Sequence, residues 1–515
     1  MIRTVFLIIF LYFVCGSTRA LQAQENKKIL LQSADILEYN RPINPDIQLI
    51  KGNVVFQHEN SLLYCDSALL YINKNAMDAY GNVHVKVSDA TQIYGDKLYY
   101  DGNEKMAVME NNVELIDNKI ILHTQKLYYD INNGMGYYLD GAKIEDPNNT
   151  LVSKHGYYYS ATKEFFFRHD VEVTGNNFKL TSDSLMYNTN TEKIDFYGNT
   201  HIRSGATDIY CQLGWYNTLT DQTELYGRAK MINGSSILIG DTLFYDKKSG
   251  IGKAYKNIFF RDTLENIVLK AHFGLFHESD SSVLATDSAV FITWEAGDSL
   301  FLHGDTLFTA KDSLLGRQIT AYYGVRFFKT DLQGVCDSLY YCEKDSLMRM
   351  YEKPCLWTDS TQLFADYIQF LVNRNKIEEM FLENNAFIIS MYRELDFQQI
   401  KGTKMKGFFK DNELHRMLVN GNAEAVYYIE NENGAKTGVN KSMSSAMDLY
   451  FEDREISSIT MIDFPQGTIY PNAQFPEEQR KLVGFDWRAN IRPLNKNDIF
   501  KRSSTSNTGS VVRGR

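Results

Sequence analysis

Seven aspartates recur along the chain in one local setting, and a row of carboxylates at a fixed interval could do chemistry. Asp66, Asp96, Asp183, Asp241, Asp305, Asp337 and Asp366 each stand just before an apolar, strand-like run. Oxygen ligands of this kind are what calcium takes. The interval argues against it, since calcium-binding β-roll repeats are about nine residues long with several ligands in each, and here one carboxylate falls in roughly 30 residues. A side chain to backbone hydrogen bond at the start of a strand suits these residues better. The ten histidines are scattered, and His272 and His277 lack the helical i, i+4 setting and the glutamate of a zinc site. Neither a Gly-x-Ser-x-Gly elbow nor a phosphate-binding loop is present. These residues predict no catalysis, no metal and no cofactor.

Five cysteines follow residue 24, an odd number, so at least one is unpaired or pairs between chains. Cys65, Cys211 and Cys336 directly precede an anchor position, where Gly95, Gly240 and Gly304 stand in other copies. They read as small residues at a tight spot, several repeats apart and beyond the ~4.4–6.8 Å Cα separation of a disulfide. Cys342 and Cys355 lie in adjoining strand segments of one repeat, and an oxidising compartment would permit a bridge between them.

The elements that position these residues are copies of one unit. Its first half reads Cys65-Asp-Ser-Ala-Leu-Leu70, Gly95-Asp-Lys-Leu-Tyr-Tyr100, Thr124-Gln-Lys-Leu-Tyr-Tyr129, Lys154-His-Gly-Tyr-Tyr-Tyr159, Ser182-Asp-Ser-Leu-Met-Tyr187, Cys211-Gln-Leu-Gly-Trp-Tyr216 and Gly240-Asp-Thr-Leu-Phe-Tyr245. The anchors Asp66, Asp96, Gln125, His155, Asp183, Gln212 and Asp241 are 30, 29, 30, 28, 29 and 29 residues apart. Such regularity means one supersecondary unit stacked on itself. Two positions after the anchor stand Leu98, Leu127, Leu185 and Leu243, and four after it Tyr100, Tyr129, Tyr187 and Tyr245. Side chains two apart on a strand share a face, so both columns look into one interior. The second half passes a Gly-Asn turn, as in Gly81-Asn-Val-His-Val85 and Asn111-Asn-Val-Glu-Leu115, which places Val83 with Val85 and Val113 with Leu115 on that interior. Large residues at the third position, such as Tyr99, Tyr128, Trp215, Phe244 and Tyr340, call for partial cover on the opposite face.

The 515 residues include 33 Tyr and 31 Phe against 8 Pro, a composition suited to pleated strands. Residues 1–24 have the layout of a secretory signal peptide: Arg3, an apolar run from Val5 to Val14, then small and polar residues. The period is regular over 25–262, looser over 263–464, and gives way over 465–515 to a basic tail expected to be flexible. Net charge is −10, but residues 480–515 carry +7, leaving −17 elsewhere. An acidic body of this kind excludes nucleic acid as a partner.

An exported chain built from apolar-x-(Gly/Ala/Ser)-Asp-x-Leu-x-Tyr followed by Gly-Asn-Val-x-Val resembles the OstA/LptA-like family, which comprises the periplasmic lipopolysaccharide-transport bridge and the N-terminal domain of LptD. The match is clearest over about residues 30–262. The resemblance implies an all-β fold, an elongated repetitive antiparallel β-jellyroll with a V-shaped pair of twisted sheets. It implies an open groove, lined by Leu98, Tyr100, Leu127, Tyr129, Leu185, Tyr187, Leu243, Tyr245, Val83, Val85, Val113 and Leu115, that carries lipopolysaccharide acyl chains through the periplasm toward the outer membrane. It also implies partners joined end to end by strand addition, either other lipopolysaccharide-transport components or a second copy. Each methylene kept from water is worth ~0.8 kcal/mol, so shielding several chains is a large term. Two departures stand: there are more repeats than a short bridge needs, and the C-terminal barrel of the outer-membrane member is absent. A structural or adhesive β-solenoid with a closed, dry core uses the same residue types and stays open as the alternative.

Overall fold

The computed structural model describes residues 28–39, 46–295, 297–373, 376–393, 396–410, 413–431, 434–452 and 455–501. The expected signal peptide and residues 502–515 lie outside them. Antiparallel strands dominate, typically 11 or 12 residues long in the regular part, as in Ser61–Tyr71, Ala76–Lys86, Thr91–Asp101 and Met106–Asp117. The fold is the repetitive antiparallel β-jellyroll. Aspartates close the turns between strands: the Asp101 carboxylate accepts from the N–H groups of Asn103 and Glu104 at 2.9 and 3.1 Å, and Asp246, Asp262 and Asp312 act alike. Among the described residues no helix is long and apolar enough to cross a membrane.

Every second long strand, the one after an anchor strand, is broken near its middle by two successive residues in the left-handed region. Gly52 with Asn53, Gly81 with Asn82, Asn111 with Asn112, Lys256 with Asn257, and Asn384 with Asn385 all have positive φ. Pairing skips there, for example between Tyr80 and Val83. A bulge of this kind bends the strand, so each strand becomes two arms, and the arms of successive strands pair into two facing layers. The aspartate anchors hold this corner. The carboxylates of Asp35, Asp66, Asp96, Asp241 and Asp366 accept from the side-chain amides of Asn53, Asn82, Asn112, Asn257 and Asn385 at 2.7–3.0 Å. The expected bond from anchor to backbone is therefore a bond between side chains, made 16 to 19 residues along the chain.

One expected register is off by a residue. In the fourth copy the anchor place belongs to Lys154, whose N–H donates to the His169 carbonyl at 3.0 Å as that of Asp366 does to Asn384. Gly156 and Tyr158 therefore face the interior and pair with Phe167 and Phe165. A slip of one residue exchanges the two faces of a strand, which is why the string of three tyrosines misled the spacing. The bulky third-position residues are covered by the stems and charges of basic neighbours: Lys126 lies over Tyr128 at 5.3 Å, Lys193 over Trp215 at 5.4 Å and Lys253 over Phe244 at 5.8 Å.

The chain divides into two compact units, one ending at Glu192 and the other beginning at Lys193. In the second unit the chain leaves β-structure after Gln466–Pro471 and continues through four single 3-10 turns, the last being Asp498–Phe500. This arm packs Phe475 and Leu482 onto Cys355, Trp357, Phe364, Phe387 and Val426. Three buried glutamines hold it. Gln362 donates to the Asp486 carbonyl at 2.6 Å and accepts from the Arg488 N–H at 2.7 Å, and Gln399 makes the same pair of bonds with Arg480 and Leu482 at 2.7 and 2.9 Å. Gln333 accepts from the Arg492 guanidinium at 2.6 Å. The expectation of a flexible basic tail fails over 466–501, because Arg492 is bound to Gln333 and the Asp359 carbonyl, Arg488 to the Lys353 carbonyl and Arg480 to the Asp396 carboxylate.

Replacing Asp96 by alanine should lower stability by about 1 kcal/mol, read from the urea midpoint, since it deletes one charge-assisted corner bond. Gln362→Leu should leave two main-chain groups of the arm unpaired and hasten tryptic cleavage after Arg480 and Arg488, with cleavage elsewhere unchanged.

Candidate functional site

Following the register from strand to strand resolves the interior into three ladders. On one arm a spine runs through Ala68, Ala79, Leu98, Met109 and Leu127 in the first unit, and through Leu225, Leu243 and Ala254 in the second. All of these are buried. Further out on the same arm, Tyr100, Ala107, Tyr129, Gly136 and Tyr158 alternate large with small. The alternation is steric: a Cβ on Gly136 would lie 3.1 Å from the Tyr129 ring. The opposite arm carries Val85, Ile93, Leu115, Leu122, Ile144, Leu151 and Val173.

In the first unit, nine of the expected groove residues face an interior that is shut. Leu98, Tyr100, Leu127, Tyr129, Leu185, Val83, Val85, Val113 and Leu115 are none of them more than 3% exposed. The outer ends of the two arms meet across it. The buried Asp117 carboxylate takes the Lys163 ammonium at 2.6 and 2.8 Å and accepts from the hydroxyls of Thr91, at 3.0 Å, and Tyr158. Glu59 takes Lys105 at 2.9 Å, and the ring of His58 meets the Tyr100 hydroxyl at 2.6 Å. Burial, with Asp117 beside it, pushes the Tyr158 phenol far up, and burial raises that of Tyr100.

In the second unit an opposite-arm ladder runs through Ile202, Ile209, Met231, Leu238, Phe260, Leu269 and Phe291. All seven are only half-buried. Facing them, Leu243 is buried, Tyr187's counterparts Tyr216 and Tyr245 are half-buried, and Phe276 is 37% exposed. Tyr187 itself, at the end of the first unit, is also half-buried. The result is an apolar trough across seven strands, about 30 Å long at ~4.8 Å per strand. Its rim is polar: Tyr216 donates to Asp221 at 2.8 Å and Tyr245 to Glu278 at 2.7 Å. Burial and these carboxylates push both phenols up to about 12. Beyond it the ladder is buried again at Leu302, Phe327, Leu356 and Leu363. Sequence reasoning missed most of the trough. Phe260 and Ile202 sit in recognisable turn copies, but nothing in the motif separates an open wall from a closed one.

The bridge that the sequence permits between Cys342 and Cys355 is not formed, and both are free, buried thiols. Cys342 pairs with Gln318 and Leu347 on the arm that carries Leu339, whereas Cys355 pairs with Val335 and Phe364 on the other arm, under the C-terminal segment. Burial pushes the thiols of Cys65, Cys211 and Cys355 up to about 12. Among the described residues no three His, Cys, Asp or Glu side chains gather to hold a metal ion.

Bent strands repeated about every 29 or 30 residues around an apolar interior define a repetitive antiparallel β-jellyroll. Residues 26–183 and 175–257 match the model of the OstA-like protein family, and over this region the chain is OstA-like. No curated protein matches the chain. A similar solved structure is LptH of Pseudomonas aeruginosa, the LptA-homologous periplasmic component of a lipopolysaccharide transport device. It is 20% identical over 19% of this chain and 75% of that one, with a TM-score of 0.18. A likeness that local adds nothing to the fold established by strand pairing.

Leu115 and Leu238 occupy the same ladder in shut and open stretches. Leu115→Asp should unfold the first unit, with a loss above about 4 kcal/mol, whereas Leu238→Asp should cost about 1 kcal/mol or less, both followed by urea unfolding.

Proposed function

We propose that the protein is a periplasmic carrier that shields the acyl chains of lipopolysaccharide in the half-open interior of its second unit and serves as a bridge between inner and outer membranes. One observation carries this: seven consecutive inward positions, Ile202 to Phe291, are apolar and yet only half-buried. An apolar wall left in contact with water has a use if a ligand covers it. The OstA-like match supports the choice of lipid. On this proposal residues 1–24 direct export, the repeats over 25–262 and 263–464 form the conduit body, and the protein catalyses nothing. Lipopolysaccharide-transport components, or a second copy, join its terminal strands.

A second reading has an observation of its own. The first unit's interior is packed as a dry core, which is what a structural or adhesive solenoid would show throughout. Photocrosslinking in cells separates the two. A probe at Met231, Leu238 or Phe260 should give lipopolysaccharide adducts, and one at the outward-facing Lys230 or Lys253 should not. Folded protein without adducts at any of the three inward sites would establish the solenoid instead.

A further inference from the structure

The two ion pairs at the mouth of the first unit have a common geometry. Glu59 and Asp117 lie at or beside turns that end one layer, while Lys105 and Lys163 lie in turns that end the other. Both pairs span 46 residues, so the same two lips are joined at two places, two repeats apart. Asp117 is 3% exposed and Lys105 9%, so these are not solvated surface pairs. Side chains of both layers complete the closure through His58 with Tyr100 and Asp117 with Tyr158.

The open stretch of the second unit is built differently at the corresponding turns. There Gly205 and Gly234 stand at the tips with positive φ and nothing within 4 Å of where a Cβ would be. A glycine offers no side chain to an opposing lip. Where an acid returns in that row, at Glu265, an ion pair to Arg317 at 3.4 Å also returns, spanning 52 residues. That pair is exposed on both sides and borders Phe260 and Leu269, which stay half-buried, so it does not shut the mouth as the two buried pairs of the first unit do.

We propose that Glu59–Lys105 and Asp117–Lys163 are latches that keep the first unit's interior shut, and that this interior admits acyl chains only when they release. This rests on the acyl-chain function proposed above. The opened cavity would offer the ladder from Val85 to Val173 facing Tyr100, Tyr129 and Tyr158, the wall that the trough of the second unit shows uncovered. Charged lips suit a latch because released groups are resolvated by water, so opening does not strand them unpaired in an apolar core. A lipid whose polar head lies at the mouth would supply new partners to the same side chains at the moment of release.

The chain carries its own probes. Cys65 lies in the first unit's interior and Cys355 in the arm-covered core of the second, both buried thiols. In full-length protein, Lys105→Met should raise the maleimide labelling rate of Cys65 about tenfold or more, with Cys355 unchanged, by peptide mass spectrometry. An unchanged Cys65 rate would overturn the latch. In the complementary experiment Asp117→Cys with Lys163→Cys locks the lips by oxidation, and photoactivatable palmitate is the ligand. Adducts within 46–192 that disappear on locking and return on reduction support the proposal, and adducts that persist when locked overturn it. Adducts absent in both states, with Cys65 still responsive to Lys105→Met, would sink the acyl-chain function and leave a latch on an empty core.

Discussion

The fold hangs on the bend in the middle of every second long strand, which its anchor strand follows by pairing on both sides of it. Two adjacent residues must take the left-handed conformation, at a steric cost that Gly and Asn bear most easily. The aspartate one strand earlier offsets that cost by accepting a hydrogen bond from the corner asparagine, so the bend of one strand is fixed by its neighbour. Without the bend, a strand of 11 or 12 residues would belong to a single flat sheet with one face wet. With it, the same strand contributes to two layers, and its apolar face encloses an interior.

That interior has a floor and a mouth, governed by different forces. The floor is the spine beside the corner, from Ala68 to Leu127 and from Leu225 to Ala254, and it is buried in both units because the bend itself brings the two arms together. The mouth lies at the arm ends, where backbone geometry no longer dictates contact. There the outcome depends on whether side chains reach across: lysine to carboxylate in the first unit, glycine in the open part of the second. A tyrosine ladder can thus be core in one place and wall in another with no change in its own residues.

The end of the second unit adds a third layer. Strands there are apolar on both faces, Leu356 looking inward while Cys355 and Trp357 look outward, and the outward face needs cover. The C-terminal arm supplies it without regular secondary structure, so its main-chain groups need partners, and buried glutamines provide both a donor and an acceptor for each crossing.

The sequence by itself determined the repeat, its all-β character, the inward columns and the family likeness, because alternation and turn chemistry are local properties of a strand. It marked Leu98, Tyr129 and Val113 as interior and the aspartates as structural. A local rule misled it once, where Lys154–Tyr159 offers three tyrosines in a row and only pairing with Glu164–Gly175 fixes which two faces they take. Tertiary structure alone decided whether the interior is open or shut, that Cys342 and Cys355 stay apart, and that the basic segment over 466–501 is a packed arm. The shut interior and the packed arm depend on partners 40 to 170 residues away, as Asp117 with Tyr158 at 41 and Arg326 with Ile491 at 165 show. Contacts between distant side chains leave no period in the chain, whereas the pleat of a strand does.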